Sequence, residues 1–189
     1  MNKLSVVYDA CVLYPAPLRD TLMSLAVTRL FRAHWTSDIN DEWTRNLLRA
    51  RPDISPQQLA RTRTVMDRAV PDALVTGYGG LIQTLTLPDP DDRHVLAAAI
   101  RCGVGLIITF NVKDFPAHIL GDYGIETCHP DIFTRRLLEE HPAEVITALK
   151  KQHQRLVRPA HSAEEFLNTL ARQGLEQTVA ALRLTNEFG

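Results

Sequence analysis

Residues 87–111 read LPDPDDRHVLAAAIRCGVGLIITFN, and the fold follows from how this stretch changes character. A turn of proline and aspartate opens an apolar, alanine-rich segment. Gly103 stops that segment, as expected at a helix C-terminus. The run GLIITFN (105–111) then reads as an apolar strand ending at Thr109. A helix feeding a short, wholly apolar strand belongs in a parallel sheet covered on both faces.

The same alternation extends outward. Residues 4–8 (LSVVY) form a β-branched strand ending at Asp9. The stretch DACVLYPAPLRD (9–20), punctuated by Pro15 and Pro17, reads as a loop. A helix follows, with Leu18, Leu22, Leu25, Ala26 and Leu30 at three- and four-residue spacing. His34–Thr36 is expected as a second strand. Ser37 or Asp38 then caps a helix whose apolar stripe is Ile39, Trp43, Leu47 and Leu48, with Glu42 off the stripe. Ser55-Pro56 opens another helix. Ala73–Val75 reads as a third short strand, and Tyr78–Leu85 as a short helix or loop.

Downstream, NVKDFP (111–116) is a loop, Gly124–Cys128 the last strand, and Pro130 the start of a helix. Beyond His141-Pro142 the chain is helical again over 145–156 and 163–184. Its apolar stripe is Val145, Leu149, Leu156, Phe166, Leu170, Leu175, Val179 and Leu182. This predicts an α/β sheet domain over 1–137 and a helical C-terminal extension over 138–189. The stripe either packs on the domain or offers a surface to a second copy or a partner protein; the sequence leaves both open.

The chain has 189 residues, 45% hydrophobic and 23% charged, with a net charge of −1. Its pI of about 6.6 argues against a strongly basic nucleic-acid binder. It does not argue against an enzyme with a local field of its own. Three cysteines (Cys11, Cys102, Cys128) form no CxxC pair, so neither a zinc site nor a disulfide framework is expected. Sparse cysteines suit a reducing cytoplasm. The opening MNKLSVVYDA has no signal-peptide pattern, and no window reaches the length of a membrane span.

In parallel sheets, ligands bind outside the carboxyl ends of the strands. Asp9 follows the first strand there. Asn111 and Asp114 follow the GLIITF strand, and Asp89, Asp91 and Asp92 precede the helix that feeds it. Glu42 sits on an early helix. Separate carboxylates suit hard divalent cations and phosphodiester chemistry. Each has a bland rival: Asp9 as a turn cap, Asp89 as a turn former before Pro90, Asp91 as an N-cap, Asp92 as a first-turn acid. His94 reads as a half-buried packing residue, and Trp35 and Trp43 as core.

Four blocks carry a resemblance: DACVLYPAPLRD (9–20), INDEWTRNLL (39–48), LPDPDDRHVLAAAI (87–100) and IITFNVKDFP (107–116). In order and spacing the chain resembles the PIN-domain family, in particular bacterial VapC-like toxin ribonucleases, over roughly residues 4–135. The resemblance implies a small parallel sheet between helices, and three or four acids holding Mg²⁺ or Mn²⁺ to hydrolyse RNA. An antitoxin partner is also implied, and a homodimer is left open. Carried over by position, Asp9 is the first acid, Glu42 the second, Asp92 the third and Asp114 the fourth. Asp89 and Asp91 keep the third choice open.

The expected metal ligands are Asp9, Asp92, Asp91 and Asp114. Asn111 is a second polar ligand or substrate contact. Arg19 and Arg45 are candidate RNA contacts, Arg19 having a salt bridge with Asp20 as its rival. Arg49 and Arg51 lie nearby. Cys11 departs from the Asn, Thr or Ser more usual in the family. The alternative reading is a PIN module that has lost catalysis and serves as a scaffold or RNA-binding unit.

Overall fold

The computed structural model describes residues 3–156, 161–185, 187 and 188. At its centre is a four-stranded parallel sheet: β1 (Ser5–Tyr8), β2 (Arg32–His34), β3 (Leu106–Ile108) and β4 (Glu126–Cys128), in the order β2-β1-β3-β4. Val7 pairs with His34 on one side and Ile107 on the other, and Ile108 pairs with Cys128. Successive strand residues face opposite sides. Val6, Val7 and Tyr8 are all fully buried, as are Ile107 and Ile108, so both faces of the central strands are covered. The expected α/β architecture is present.

The cover comes from α1 (Ala10–Leu13), α2 (Ala16–Val27), α3 (Ser37–Ala50), α4 (Pro56–Ala69), α5 (Gly79–Ile82), α6 (Arg93–Cys102), α7 (Ala117–Leu120) and α8 (Pro130–Glu140). Helices α9 (Pro142–Gln154), α10 (Ala163–Arg172) and α11 (Glu176–Leu184) complete it. Local chemistry sets many of their ends. Ser55 and Gln58 form a reciprocal capping box at α4. Gly103 ends α6 in a left-handed conformation, φ 65°.

Several local expectations differ from the structure. The segment after Asp9 is not a loop: the Asp9 side chain caps α1, and Pro17 sits in the first turn of α2, where its missing N–H has no helical partner to lose. Leu30 lies outside α2, because Arg29 turns the chain with φ 60°. The second strand is Arg32–His34 instead of His34–Thr36, and Thr36 caps α3 in place of Ser37 or Asp38. Ala73–Val75 makes only a bridge, Trp35 to Leu74, too short for a ladder. Within 111–116, Val112–Asp114 winds into a 3₁₀ turn.

The C-terminal stripe packs on the sheet domain. Val145, Leu149, Phe166, Leu170, Leu175, Val179 and Leu182 are all buried, while Leu156 is partly exposed. Gln152 of α9 exchanges buried hydrogen bonds with Thr21 of α2. In α8, the buried Asp131 carboxylate accepts from the Gln177 and Thr178 amides, both at 2.9 Å, and from the Thr178 hydroxyl at 2.7 Å. It thus caps α11 from across the fold. Gly174, at φ 84°, separates α10 from α11; a Cβ there would stand 3.2 Å from the Phe110 ring. The expected division after residue 137 falls inside the continuous helix α8. Residues 1–2, 157–160, 186 and 189, which include the ends of the expected domain and extension, lie outside the described residues.

Candidate active site

The site is built on the carboxyl ends of β1 and β3. The Asp9 amide donates to the Ile108 carbonyl at 3.1 Å, and the Thr109 amide to the Cys128 carbonyl at 3.1 Å, so the ladder runs one residue past each strand. That register sets Asp9 beside Thr109. The Thr109 hydroxyl donates to Asp9 Oδ2 at 2.6 Å and accepts from the Asn111 amide at 2.9 Å. The Ala10 amide donates to Asp9 Oδ1 at 2.6 Å. Asp9 is 2% exposed. Burial raises its pKa and the charge of Glu42 adds to this, while bonds from Thr109, Cys11 and Ala10 hold it back.

Cys11 takes the place expected for a hydroxyl or amide and does similar work. Its thiol donates to Asp9 Oδ2 at 3.1 Å, and its sulfur accepts from the Phe110 amide at 3.3 Å. Burial, then the neighbouring Asp9 charge, lift its pKa far above the ordinary thiol range, so it stays a neutral donor.

The DPDD turn divides its three acids. Asp89 accepts from the Asp91 amide at 2.9 Å, the turn-forming role open to it. Asp91 is exposed and is not among the groups pressing on Asp92. Asp92 stands at the start of α6 without a side-chain capping bond. Its pKa is pushed up to about 7, first by burial and then by the charges of Asp9, Asp89, Asp114 and Glu42. Four carboxylates from four chain segments therefore bear on this one side chain. Among the described residues, Asp9, Asp92 and Asp114 make no salt bridge, and no three acidic, histidine or cysteine side chains sit together at ligand range.

Glu42 is half-buried, and its Oε2 lies 3.0 Å from His94 Nε2. His94 is half-buried, as read, and also makes a polar contact. Burial pulls its pKa down, but Glu42, then Asp38 and Asp9, outweigh this and leave it raised. His94 Nδ1 is buried with no hydrogen-bond partner among the described residues.

The candidate substrate residues separate. Asn111 and Arg45 are exposed, Arg45 one helical turn beyond Glu42. Arg19 is 6% exposed: its Nη1 donates to the Leu13 carbonyl at 2.7 Å, and its guanidinium lies 4.5 Å from the Trp43 ring centroid. Its place is a packing one, and it makes no salt bridge with Asp20 among the described residues. Arg51 pairs with Asp53. Trp35 and Trp43 are fully buried, as read. A cavity of about 940 Å³ lies elsewhere, between α2, α4 and α9, and contains none of the acids at the sheet rim.

Sequence reading assigned no role to Thr109 and no partner to His94. A hydroxyl ending the strand beside the one that carries Asp9 was the available signal for the first. Nothing local signals the second, whose partner is 52 positions away.

Comparison with known proteins places the chain in a family. Residues 5–113, more than half of the chain, match the PIN domain family model, and residues 130–184 match that of the VapC50 C-terminal domain. A Mycobacterium tuberculosis (strain H37Rv) protein named "Putative ribonuclease VapC50" is 31% identical over 120 residues, which cover 61% of this chain and 70% of that protein. No solved structure matches the chain significantly.

Proposed function

The chain belongs to the PIN-domain family, and from that premise we propose that it is a divalent-cation-dependent endoribonuclease. The supporting observation is the field of Asp9, Glu42, Asp89 and Asp114 meeting at Asp92. The donor set fits a hard cation. Asp9 is buried with no cationic partner among the described residues, and Asp92 is strongly disfavoured as an anion. A cation held by these carboxylates would relieve both penalties. An ion of the Mg²⁺ or Mn²⁺ kind keeps several waters and takes one or two carboxylates directly.

Asp9 and Asp92 would hold the ion, with Asp114 beside them. When bound, it supplies charge to the scissile phosphate and lowers the pKa of an attacking water. Thr109 and Cys11 fix the Asp9 carboxylate. Glu42 would orient a water and accept its proton. Arg45 and Asn111 meet substrate phosphates. Asp91 is left out because it is exposed, and Arg19 because its guanidinium is engaged inside the fold.

The test is incubation of purified protein with total RNA, with and without Mg²⁺ or Mn²⁺, and mapping of the ends produced. Cleavage that needs the cation, stops with EDTA and is lost in Asp9→Asn is expected. Cleavage unchanged by EDTA or by that substitution sinks the proposal. A folded wild-type protein that cuts nothing under any cation favours the scaffold reading.

The name of the M. tuberculosis relative supports a narrower reading: a VapC-type toxin acting in the cytoplasm and restrained by an antitoxin. Among the described residues no helix is long and apolar enough to cross a membrane. Growth arrest on expression, relieved by a small protein encoded beside it and absent in Asp92→Asn, is the expected behaviour. Unimpaired growth with active enzyme present removes the toxin reading while leaving the nuclease one.

A further inference from the structure

The half-buried face between α3 and α6 carries a polar contact that packing does not require. Glu42 projects from α3 and His94 from α6, and their side chains are 29% and 13% exposed. Ionised, a carboxylate only accepts hydrogen bonds, so at 3.0 Å the ring nitrogen Nε2 carries the proton and donates. The other nitrogen, Nδ1, is buried and partnerless among the described residues. The imidazole therefore has one polar contact there, and that contact is Glu42. A side chain placed only to fill space needs no donor, and an apolar residue of similar volume would leave no orphaned nitrogen.

The location gives the contact its meaning. Asp92 ends the 3₁₀ turn that leads into α6, and His94 is the second residue of that helix. The entry to α6 thus carries Asp92, and its first turn reaches the α3 carboxylate with His94. A free glutamate samples several rotamers. One bonded to a half-buried ring is restricted to those that keep the contact.

We propose that His94 is a positioning residue, holding Glu42 in the orientation the acidic pocket needs, so that cation binding and turnover depend on a side chain that touches neither cation nor RNA. This rests on the nuclease reading above.

The test uses the full-length protein, with Mn²⁺ affinity read by calorimetry or electron paramagnetic resonance, and kcat and KM on an RNA oligonucleotide. His94→Leu keeps bulk and removes the donor; His94→Gln keeps an N–H able to reach Glu42. The Leu variant is expected to bind Mn²⁺ about tenfold more weakly and to lose kcat by about tenfold or more, with KM little changed. Gln is expected to recover most of both. In a Glu42→Ala background, which has no acceptor left for the ring, His94→Leu should add little further loss, since the two residues act as a pair.

Wild-type affinity and kcat in the Leu variant overturn the proposal. So does a Gln variant as poor as Leu, or a full additional loss in the Glu42→Ala background; each marks a packing role. If Leu does not fold, the comparison of Gln with Asn, whose shorter amide falls short of Glu42, decides in the same way. A wild-type protein that neither binds Mn²⁺ nor cleaves RNA overturns the nuclease reading itself, a result distinguishable from the others.

Discussion

Asp92 shows how burial and neighbouring charge set what one side chain can do. Its folded-state pKa of about 7 lies above the ordinary 3.8. A raised carboxyl pKa means that the folded state holds its proton more tightly than the unfolded state does. Its contribution to stability is fully present below about pH 4 and is lost as the pH rises through about 7. Without a divalent ion the melting temperature should therefore fall across that window. Asp92→Asn should flatten the fall and raise Tm at pH 8. After discounting for solvent screening of this half-exposed group, the gain is about 1 kcal/mol, or roughly 2–4 °C. An Asn variant that melts at or below wild type at pH 8 speaks against crowding of the acids. Saturating Mn²⁺ should stabilise wild type by about 2–3 kcal/mol at one hundred times its Kd and do little for Asp92→Asn. Thr109→Val should cost about 1–2 kcal/mol and cut cleavage several-fold, by leaving a buried carboxylate oxygen short of a donor. Thr109→Ser should be close to neutral, and equal damage from Ser and Val in melting and rate assays would refute the hydroxyl's role.

Elements, by contrast, stand or fall on their ends. Helix α11 begins over the Asp131 carboxylate, which takes three hydrogen bonds from Gln177 and Thr178. Asp131→Ala should cost about 2 kcal/mol, roughly 4–8 °C, and speed amide exchange first in α11. Unchanged exchange there would show that α11 does not need this cap. The sequence made the long helices and the apolar strands legible because periodicity and runs such as LIIT report burial directly. Helix α1 was illegible because its four residues lie between a capping aspartate and a proline, where turn chemistry dominates the pattern. The burial of Arg19 was illegible for a related reason: a guanidinium looks like a surface group until Leu13 and Trp43 are seen around it. Asp9, Glu42, Asp92 and Asp114 were named from the four sequence blocks, but the turn-forming bond of Asp89 was not legible there among three acids of one turn.

At the scale of the whole molecule, the C-terminal helices and the sheet share one interior. Val145, Ala148 and Leu149 of α9 are buried, α9 packs against α2, and Gln152 is bonded to Thr21. A chain stopped after residue 141 should expose that face of α2, bind a hydrophobic dye and lose its sharp thermal transition. A truncated chain that melts cooperatively near the wild-type temperature would show the extension to be separable. The shared interior also reaches the acidic rim. Phe110 rests against Gly174, and its amide is bonded to the sulfur that bonds Asp9. Any β-carbon at position 174 would push on that ring as well as strain a backbone at φ 84°. The remote tail is therefore a buttress for the first acid: an injury at Gly174 would be felt as a dulled blade before it was seen as a broken handle.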